Sequence, residues 1–495
     1  MKRMNADVIV VAAGLSGLAA TVAAAEQGLK VITFEKNATT GGAANMGVGP
    51  LAVGTKNQRM LGHNLTPDDI FLKHMHYCHW RTDARLVYEY YNGTASTIEW
   101  LEEMGVEFVF IGRTMYTPTR MKSFAQPELT SHAVKPPPGG RIGPRVASGM
   151  TKALTDRAYA LGAEILLETP ASSVIKENGV VVGVRAVGKD GDEIEARSKA
   201  VIIGAGGYGD NPKMIKETTG FEWGQDLFSF RIPGNVGDGL RMCWGAGAAK
   251  TKMMLELMYQ IPDNLNHFDL EGAFRQPILW VNKLGERFMP EDCIGNTATT
   301  GNAIVEQQGH TCFSIMDEAT LRHYKKKGVD FAGIQGEDVF KNFDQAAEAA
   351  KAEGYSYYFE ADSVEELCKK AGIHEQGLRE TLGEYNHSCE IGRDELFNKP
   401  YQFLRQVKKP KFYALQSFPG AYGTLGGVRI NHKTQALNSE GMPIPGLYSI
   451  GTDACNIHGD TYTFILPGNT MAFCLYTGRV AGKYAGEYIA SLGEP

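Results

Sequence analysis

The sequence of 495 residues predicts an α/β fold with a second, inserted domain. Three observations lead to this prediction. Apolar runs that suit buried strands alternate with helical patterns at the N-terminus, and the same pattern returns near residue 411. Between these parts, residues 228–410 are more polar, charge-laced and mostly helical. We therefore predict a discontinuous α/β domain, residues 1–227 and 411–495, and an α+β capping domain, residues 228–410.

The first predicted element is a βαβ unit at residues 7–36, DVIVVAAGLSGLAATVAAAEQGLKVITFEK. Residues 7–11 form a mostly apolar run typical of a buried parallel strand, and the alanine-rich residues 15–27 favour a helix. Residues 30–34 predict a second strand, which ends at Glu35. A strand, a helix and an acid in this order are what a dinucleotide-binding unit requires.

The turn between the first strand and the helix departs from the G-x-G-x-x-G pattern at one position. Ala12 replaces the first glycine, whereas Gly14 and Gly17 keep the second and the third. The second glycine lets the backbone approach a pyrophosphate, and the third lets the helix pack on the strand. Ala12 costs about 1–2 kcal/mol only if its backbone is left-handed. The turn therefore still predicts a dinucleotide site.

The remaining elements follow in order along the chain. Residues 66–110 predict mainly helix, and residues 112–148, rich in Pro, Gly and Arg, predict a long loop with a functional role. From Gly149 the helix MTKALTDRAYALG, the strand AEILLET and a hairpin lead to a second strand-to-glycine turn, AVIIGAGGYG. Such a turn can present backbone amides to a ligand. Near Phe412 the strands return, and NTMAFCLYTGRVAGKYAGEYIA predicts the closing helix.

Composition excludes several classes of partner. The net charge is −6 and the isoelectric point is about 6.1, which argues against nucleic acid and membrane surfaces. The eight cysteines lack C-x-x-C spacing, so we expect reduced thiols rather than iron–sulfur clusters or disulfides. The sequence has no run of about 18 apolar residues and no separate signal segment. We therefore expect a cytoplasmic protein with no membrane insertion and a small-molecule partner.

The segment HMHYCHW at residues 74–80 contains residue types that can bind a metal ion. They are His74, His76, Cys78 and His79. The segment precedes a helix that carries no further ligand at i+4 spacing. We therefore predict that the chain has no metal site.

Eight motifs in a fixed order connect the chain to a known family. They are DVIVVAAGLSGLAATVAAAEQGLKVITFEK, GGAANMGVG, AVIIGAGGYGDN, GDGLRMCWGAGA, VNKLGERFMPE, GTLGGVRIN, IPGLYSIGTDACNIHG and PGNTMAFCLYTGRVAG. With them the chain resembles the flavoprotein family that contains soluble fumarate reductases and 3-oxosteroid 1-dehydrogenases. The resemblance spans nearly the whole length and implies a Rossmann-like, glutathione-reductase-type FAD-binding domain with an inserted cap. It also implies that the dinucleotide is FAD, bound without a covalent link.

The resemblance implies cofactor-binding positions throughout the FAD-binding domain. The implied set is Gly14, Gly17, Glu35, Lys36, Gly41, Gly42, Ala43, Ala171, Gly206, Gly207, Asp238, Gly451, Asp453, Gly468, Asn469 and Thr470. Within this set, Glu35 faces the adenosine ribose and the last three residues offer amides to the isoalloxazine edge. Relatives often have Gly-Glu where this chain has Gly451, Thr452 and Asp453, so Asp453 takes the place of the acid.

The residues expected around a substrate depart from the fumarate-reducing branch of the family. In that branch, arginines grip both carboxylates of the substrate, and one of them also delivers the proton. Here Gly295 and Tyr462 occupy the positions of two such arginines, and Gly423 replaces a histidine that precedes T-[ML]-G-G. A dicarboxylate would lose its bidentate partners in a partly dry site. The sequence therefore argues against fumarate.

The motif HGDTY instead resembles the steroid-dehydrogenase branch, in which a tyrosine at the place of Tyr462 polarises or deprotonates a keto substrate. A phenol hydroxyl suits hydrogen bonding to a carbonyl oxygen or an enolate. We therefore predict an FAD-dependent oxidoreductase that acts on a CH–CH or C=C bond next to a carbonyl, as in a ketosteroid or another enone. Hydride exchange at flavin N5 would be coupled to a tyrosine-assisted proton transfer.

The predicted catalytic residues come from three parts of the chain. They are Tyr462, Tyr422, His458 and Arg145. Tyr422 precedes a glycine turn that is expected to reach the flavin, and His458 matches a family histidine in the pair His-Gly. The long loop adds further candidates, because loops often carry functional side chains. These are Tyr116, Arg120, His132 and again Arg145.

Two other functions stay open from the sequence. One is reduction of an unsaturated carboxylic acid similar to fumarate, urocanate or acrylate, with Arg120, Arg145 or Arg287 in place of the missing arginines. The other is a non-catalytic flavin-binding sensor of a ligand or of redox state. For an enzyme, the lack of fused haem, iron–sulfur or flavin modules predicts a separate electron donor or acceptor, either NAD(P)H or a diffusible carrier.

Overall fold

The structure is a computed structural model that describes residues 1–110, 129–228 and 232–493. Its strands are β1 (Lys2–Asn5), β2 (Val8–Val11), β3 (Val31–Phe34), β4 (Phe108–Phe110), β5 (His132–Val134), β6 (Glu164–Leu166), β7 (Ala171–Glu177), β8 (Val180–Val187), β9 (Glu193–Arg197), β10 (Ala200–Ile203), β11 (Met254–Gln260), β12 (Leu279–Val281), β13 (Cys312–Asp317), β14 (Tyr358–Ala361), β15 (Phe412–Gly427), β16 (Gln435–Leu437), β17 (Pro443–Ser449) and β18 (Ala454–Cys455). Its α-helices are α1 (Leu15–Ala25), α2 (Lys56–Met60), α3 (Pro67–Tyr77), α4 (Ala84–Glu103), α5 (Ser148–Ala160), α6 (Pro212–Thr219), α7 (Asp238–Gly245), α8 (Phe268–Phe274), α9 (Thr297–Val305), α10 (Glu318–Lys327), α11 (Phe343–Ala352), α12 (Val364–Ala371), α13 (Glu375–Ile391) and α14 (Asn469–Ser491). The predicted α/β fold class is confirmed.

A six-stranded sheet with the order β16-β17-β10-β2-β3-β6 forms the centre of the first domain. Strands β17, β10, β2, β3 and β6 run parallel, and β16 at one edge is antiparallel. Strands β2 and β10 are apolar and fully buried, as expected for a parallel sheet that is covered on both faces. Because β17 pairs with β10, the C-terminal part of the chain lies beside the N-terminal strands.

Helix α1 is held closely between β2 and α14. A Cβ atom on Gly17 would lie 1.7 Å from the Ala12 carbonyl oxygen, so only a glycine allows the helix to approach the strand end this closely. On its other side, a Cβ atom on Gly478 of α14 would lie 2.3 Å from the Ser16 carbonyl oxygen. These contacts fix the N-terminus of α1 at the carboxyl end of β2.

A second sheet, with the order β1-β9-β8-β7, contains the predicted hairpin. Strand β1 was not predicted, because its sequence KRMN is polar and largely exposed. It pairs in parallel with β9. Its extended conformation therefore comes from pairing with a distant strand rather than from a local apolar pattern.

A third sheet connects the inserted segment to the rest of the chain. Its order is β11-β15-β13-β12, and β14 and β18 also pair with β15. The first half of the 16-residue strand β15 pairs with β13 and β14, and its second half pairs with β11 and β18. The predicted boundary at residue 411 lies at the start of a strand that serves both parts. The division into residues 1–227, 228–410 and 411–495 therefore stays a prediction.

The inserted segment, residues 228–410, carries helices α7 to α13, in agreement with its predicted helical character. Within it, Arg287, Glu291, Asp394 and Lys399 form a buried group that we call the ionic cluster. Arg287 Nε lies 2.7 Å from Glu291 Oε1, and Arg287 Nη1 lies 2.8 Å from Asp394 Oδ1. Lys399 Nζ lies 3.4 Å from Glu291 Oε2. The two acids and the two bases thus compensate each other inside the protein.

The predicted loop at residues 112–148 is partly a strand. Residues of β5 pair antiparallel with β4, so the loop prediction is wrong for this stretch. Three residues are too few to produce a recognisable periodicity. Residues 111–128 lie outside the described residues. In the described part of the chain, no helix has both the length and the apolar character needed to cross a membrane.

Candidate active site

A cavity of about 780 Å³ lies at the carboxyl ends of the parallel strands. Its wall includes Val11 at the end of β2, Phe34 at the end of β3 and Gly204 after β10. Other parts of the wall come from β11, β15 and the start of α14, and Phe268 adds a contact from α8. Open α/β sheets bind their ligands at this edge.

The N-terminus of α1 faces the cavity without a capping side chain. Gly14 is the N-cap residue, no side chain hydrogen-bonds to the first turn, and that turn contains no acidic residue. Gly14, Leu15 and Ser16 line the cavity, and a Cβ atom on Gly14 would meet nothing within 4 Å. Uncapped amides at a helix N-terminus suit a diphosphate. Ala12 is absent from the described non-glycine residues with a positive φ, so the missing first glycine causes no left-handed strain there.

Polar side chains after β3 and at the start of α7 line the same cavity. The Glu35 carboxylate accepts hydrogen bonds of 2.8 Å from the backbone N–H groups of Ala13 and Asn37. Lys36 Nζ lies 2.7 Å from Asp238 Oδ2. The predicted FAD contacts of Glu35, Lys36 and Asp238 stay a prediction, but all three side chains reach the cavity.

Several other predicted cofactor residues also lie in the cavity wall. They are Gly42, Ala43, Ala171, Gly206, Gly468 and Thr470. Gly206 has a φ of 95°, which favours glycine at a turn where the backbone approaches a ligand. Gly468 has a φ of 85° and is the N-cap of α14, which, like α1, has no capping side chain. The cavity therefore has two uncapped helix N-termini in its wall.

The remaining predicted cofactor residues lie behind the wall rather than in it. They are Gly17, Gly41, Gly207, Gly451, Asp453 and Asn469. Gly41 N–H donates to the Ala13 carbonyl oxygen, and Gly451 N–H donates to Thr477 Oγ1 at 3.0 Å. Asn469 accepts from the Tyr90 hydroxyl at 2.8 Å. These residues shape the turns and helix ends that carry the wall.

Asp453 holds a neighbouring turn instead of facing the cavity. Its Oδ2 accepts from Ala205 N–H at 2.6 Å, and its Oδ1 accepts from Gly207 N–H at 2.9 Å. Burial raises the pKa of Asp453 to about 6, although these two hydrogen bonds act in the opposite direction. Its predicted direct contact with the cofactor is therefore corrected to a supporting role, while Thr452 reaches the cavity.

Three aromatic side chains form one part of the cavity wall. They are Tyr422, Tyr462 and Phe464, which we call the aromatic wall. The Tyr422 and Phe464 rings are stacked with centroids 6.1 Å apart, and the Tyr462 ring lies 6.2 Å from Tyr422 and 5.9 Å from Phe464. Burial raises the pKa of Tyr462 well above its ordinary value, so this phenol stays protonated. Two of the predicted catalytic residues, Tyr422 and Tyr462, thus lie side by side.

Glu256 of β11 is a cavity-wall residue that the sequence analysis missed. It is 2% exposed, and its Oε1 accepts a short hydrogen bond from the Thr470 hydroxyl. The Thr470 side chain also lies beside Tyr462, where it opposes the rise in pKa that burial causes. Burial raises the pKa of Glu256 to about 7. A single acid within the apolar run MMLELMYQ was the signal that could have revealed it, because buried strands seldom carry an unpaired carboxyl group.

His458 lies behind the aromatic wall, with its ring centroid 4.9 Å from that of Tyr462. Its Nδ1 accepts from Thr463 N–H at 3.4 Å, and its buried Nε2 has no hydrogen-bond partner among the described residues. One ligand atom each from Glu256, Cys455 and His458 lies within 4.8 Å of the others. Among the described residues, these three have the donor types and the spacing that a metal ion could use.

The other sequence candidates lie away from this cavity. Arg145 lines a smaller neighbouring cavity of about 440 Å³, and Arg287 belongs to the ionic cluster. His132 is buried and hydrogen-bonds to Thr55 and to the Thr130 carbonyl oxygen. Tyr116 and Arg120 lie outside the described residues.

Both ring nitrogens of His74 from the HMHYCHW segment are used within the protein. Its Nδ1 lies 2.6 Å from the Tyr91 hydroxyl, and its Nε2 lies 2.6 Å from the Ile457 carbonyl oxygen. Burial lowers the pKa of His74 to about 4, so it is a neutral structural histidine at physiological pH. This arrangement leaves His74 without a lone pair directed at the rest of its segment.

Residues 7–470 match the family described as FAD binding domain. The chain belongs to this family. The cofactor is therefore FAD, and the resemblance inferred from the sequence is confirmed. The described cavity fits this cofactor, because two uncapped helix N-termini, the Glu35 carboxylate and glycine turns without side chains supply the donors and the space that a dinucleotide needs.

Curated relatives of this FAD-binding chain act on carbon–carbon double bonds. It is 29% identical over 503 residues to the vinyl phenol reductase of Lactiplantibacillus plantarum, which covers 98% of this chain and 97% of the relative. It is 27% identical over 485 residues to a fumarate reductase (cytochrome) of Shewanella frigidimarina, covering 97% of this chain and 77% of that protein. The chain is a flavin-dependent oxidoreductase that acts on C=C or CH–CH bonds. This favours an enzyme over the flavin-binding sensor.

Solved structures have the same fold. The 3-ketosteroid-Δ4-(5α)-dehydrogenase of Rhodococcus jostii RHA1 has a TM-score of 0.76 at 23% identity, with 97% of each chain covered. An open conformation of a flavocytochrome c3 fumarate reductase has a TM-score of 0.72 at 24% identity, with 98% of this chain and 79% of that chain covered. At this level of identity the likeness concerns the fold alone.

Proposed function

We propose that the enzyme reduces a carbon–carbon double bond that is conjugated to a single oxygen function, and that its substrate is a hydroxystyrene of the vinyl phenol class. The observation that carries this proposal is the aromatic wall, in which two tyrosines and one phenylalanine line the cavity with neighbouring rings. Aromatic rings bind a flat conjugated substrate through stacked and edge contacts. Tyrosine hydroxyls suit one oxygen atom, whereas a carboxylate calls for the forked donor of an arginine.

The charges in the cavity support a substrate without a carboxylate. Among the described wall residues, Lys36 is the only lysine or arginine, and Asp238 already lies 2.7 Å from its Nζ. Arg287 is paired with Glu291 and Asp394, so it is not available as a clamp. A carboxylate against the aromatic wall would be desolvated without a cationic partner among the described wall residues other than Lys36.

The comparison with relatives supports vinyl phenol ahead of a ketosteroid. The vinyl phenol reductase matches this chain over nearly the full length of both proteins. The ketosteroid dehydrogenases share the fold at 23% identity or less. A vinyl phenol therefore replaces the enone that the sequence favoured as the first candidate substrate. In a vinyl phenol, a phenol oxygen takes the place of the ketone oxygen at the end of the conjugated system.

Tyr462 and Tyr422 are proposed to hold the substrate oxygen. Because burial keeps the Tyr462 phenol protonated, it acts as a hydrogen-bond donor rather than as a base. A donor aimed at a phenolate or enolate oxygen stabilises the negative charge that the reaction places there. When bound, FAD supplies the hydride. The residues of the chain orient the double bond, exclude water and provide the proton.

Hydroxystyrene reduction needs a proton as well as a hydride. In the phenolate form, addition of a proton to the terminal alkene carbon gives a neutral quinone methide. Hydride addition at the benzylic carbon then gives the ethylphenolate, so that the alkene gains one proton and one hydride in total. The acid that delivers the proton must therefore lie beside the alkene, while the tyrosines hold the oxygen.

A cyclic enone is the second candidate substrate. One relative, the 4-oxocyclohex-2-ene-1-carboxylate 5-dehydrogenase of Sinomonas cyclohexanicum, is 23% identical over 97% of this chain. An enone also ends in one oxygen that the two tyrosine hydroxyls can bind. For either substrate, we propose that a separate donor such as NAD(P)H or a diffusible carrier supplies the electrons.

The test is anaerobic reoxidation of the dithionite-reduced enzyme, followed by stopped-flow absorbance of the flavin band. The substrates are 4-vinylphenol, 2-cyclohexenone, acrylate and fumarate, and 4-ethylphenol serves as a non-reducible matched control. We expect 4-vinylphenol to reoxidise the flavin fastest, with 4-ethylphenol as the identified product. Rapid reoxidation by acrylate or fumarate alone would contradict the proposal and would indicate a carboxylate clamp.

A further inference from the structure

We infer that Glu256 is the catalytic acid of the reduction and delivers its carboxyl proton to the alkene carbon that does not receive the hydride. This inference rests on the function proposed above. It assigns the proton to a residue outside the predicted catalytic set of Tyr462, Tyr422, His458 and Arg145.

Glu256 lies between the aromatic wall and the start of α14. It lies in the cavity wall on β11, beside Thr470 in the first turn of that helix. The Thr470 hydroxyl donates to Glu256 Oε1, and the Thr470 side chain also lies beside Tyr462. The carboxyl group and the tyrosine that is proposed to hold the substrate oxygen therefore share Thr470 as a neighbour.

A glycine leaves the second carboxyl oxygen accessible. A Cβ atom on Gly423 would lie 3.1 Å from Glu256 Oε2, so any side chain at this position would press against the carboxyl group. Gly423 immediately follows Tyr422 of the aromatic wall. A substrate ring beside Tyr422 can therefore bring its alkene carbon towards Glu256 Oε2 without meeting a side chain from residue 423.

The surroundings of Glu256 leave it able to carry a proton. No lysine, arginine or histidine among the described residues forms an ion pair with it, whereas Glu291 and Asp394 of the ionic cluster both have such partners. Burial raises the pKa of Glu256 to about 7, so a large fraction is protonated at neutral pH. An acid with a pKa near the working pH is the most effective general acid.

Tyr462 is less suited to this step. Burial raises its pKa well above the ordinary value, which makes the phenol a weaker acid while preserving it as a hydrogen-bond donor. The two residues therefore have separate roles in the reaction. Tyr462 stabilises the oxygen, and Glu256 protonates the carbon.

The proton transfer converts Glu256 from an acid to a carboxylate. The O–H bond of its carboxyl group breaks, and a C–H bond forms at one alkene carbon. When bound, reduced FAD would supply the hydride for the other alkene carbon, with electrons from the separate donor. Glu256 then regains a proton from solvent before the next turnover.

The experiment compares wild type with Glu256→Gln, which keeps the shape and an acceptor for Thr470 but has no acidic proton. Glu256→Asp keeps a carboxyl group, on a side chain that is one methylene group shorter. Glu271→Gln is the control for loss of a buried carboxyl group outside the cavity. Glu271 is 3% exposed and does not line the cavity, and because its Oε1 lies 3.6 Å from Arg275 Nη2, we expect this variant to lose stability but to keep its reoxidation rate. Each protein is reduced with dithionite, and reoxidation is followed from about pH 5 to about pH 9 with whichever of the four alkenes reoxidises wild type.

We expect Glu256→Gln to slow reoxidation by about 100-fold or more, with normal FAD content. The wild-type rate should fall above about pH 7 as the acid loses its proton, and this fall should be absent in Glu256→Gln and present in Glu256→Asp. Glu271→Gln should keep the wild-type reoxidation rate and pH profile. A Glu256→Gln rate within about threefold of wild type, or an unchanged pH profile, would overturn the inference.

Two further outcomes separate this inference from the proposed function. If acrylate or fumarate alone reoxidises wild type, the substrate proposal fails, while the same acid still tests Glu256. If no alkene reoxidises wild type, the pH dependence of the oxidised flavin spectrum tests the role of Glu256 instead. A transition near pH 7 that disappears in Glu256→Gln supports an ionisable group at the flavin, and its absence from wild type overturns the inference. Stoichiometric metal bound by Glu256, Cys455 and His458 would also overturn it, because the carboxylate would then be a ligand.

Discussion

Two buried carboxyl groups in this protein have opposite surroundings. Asp394 lies in the ionic cluster, where burial raises its pKa but hydrogen bonds from Arg287 and from backbone N–H groups outweigh burial and lower the pKa to about 2. Glu256 lies in the cavity wall with one hydrogen bond from a threonine, and burial raises its pKa to about 7. The first carboxyl is a permanent charge that holds the cap together. The second can change its protonation state, as a catalytic acid must.

The largest effect that we expect from this difference is on stability. Asp394→Asn removes one acid from the ionic cluster and leaves Arg287 and Lys399 with Glu291 alone, so we expect the free energy of unfolding to fall by about 3–5 kcal/mol. Urea denaturation measures this change. Glu256→Gln is the comparison variant and should lower stability by less than about 1 kcal/mol, because no buried cation loses its partner. Equal losses in the two variants would contradict the contrast between the two carboxyls.

A second prediction concerns the separate roles that are proposed for Glu256 and Tyr462. Tyr462→Phe removes the hydroxyl that is proposed to stabilise the substrate oxygen, so we expect reoxidation by 4-vinylphenol to slow by about 100-fold. In contrast to Glu256→Gln, this variant should keep the fall in rate above about pH 7. Tyr448→Phe is the matched control, because Tyr448 donates to the Tyr484 carbonyl oxygen outside the cavity. Full turnover in Tyr462→Phe would remove the tyrosine from the mechanism.

A third prediction uses pH to isolate the contribution of Glu256 to the free energy of unfolding. Its pKa is raised from 4.5 to about 7 in the folded state, so the native protein keeps a proton that the unfolded chain has released. The resulting stability is complete below about pH 4.5 and is lost as the pH rises through about 7. Between about pH 5 and pH 8, wild type should lose about 1–3 kcal/mol more stability than Glu256→Gln. Parallel urea midpoints for the two proteins across this range would show that Glu256 titrates normally.

The smallest expected effect is at the glycine beside Glu256. Gly423→Ala places a methyl group about 3.1 Å from Oε2, so we expect a rate reduction of less than about tenfold without loss of FAD. Gly245→Ala is the matched control, because a Cβ atom there would meet nothing within 4 Å. A faster reaction in Gly423→Ala would mean that the substrate does not approach Glu256 from this side.

The residues that are proposed to bind the cofactor could be predicted from the sequence more fully than the residues that are proposed to bind the substrate. Gly14, Glu35 and Gly206 belong to short turns whose chemistry is local, so their motifs could be recognised without a structure. Asp453 shows the limit of this reasoning. It could be placed in a motif from the sequence, but only its hydrogen bonds to the backbone of residues 205 and 207 show that it holds a turn instead of lining the cavity.

The residues around the substrate depend on contacts between distant parts of the chain. Glu256, Tyr422, Tyr462 and Thr470 come from β11, from β15, from the segment before α14 and from α14 itself. The tyrosines could be proposed from the resemblance to a family, but Glu256 appeared to be part of an apolar strand. Arg145 had the right chemistry and lies instead at a neighbouring cavity. Strand pairing across about 170 residues brings Glu256 beside Gly423, and no local pattern encodes this.

The aromatic wall is proposed to select a substrate with a conjugated oxygen function and to reject a carboxylate. The most direct measurement compares anaerobic reoxidation of the reduced enzyme by 4-vinylphenol and by 4-hydroxycinnamate, which differs only by a carboxylate on the terminal alkene carbon. We predict that 4-vinylphenol reacts at least about 100-fold faster, because none of the described residues around Glu256 offers a cation to the buried carboxylate. An equal or faster reaction with 4-hydroxycinnamate would contradict this selectivity.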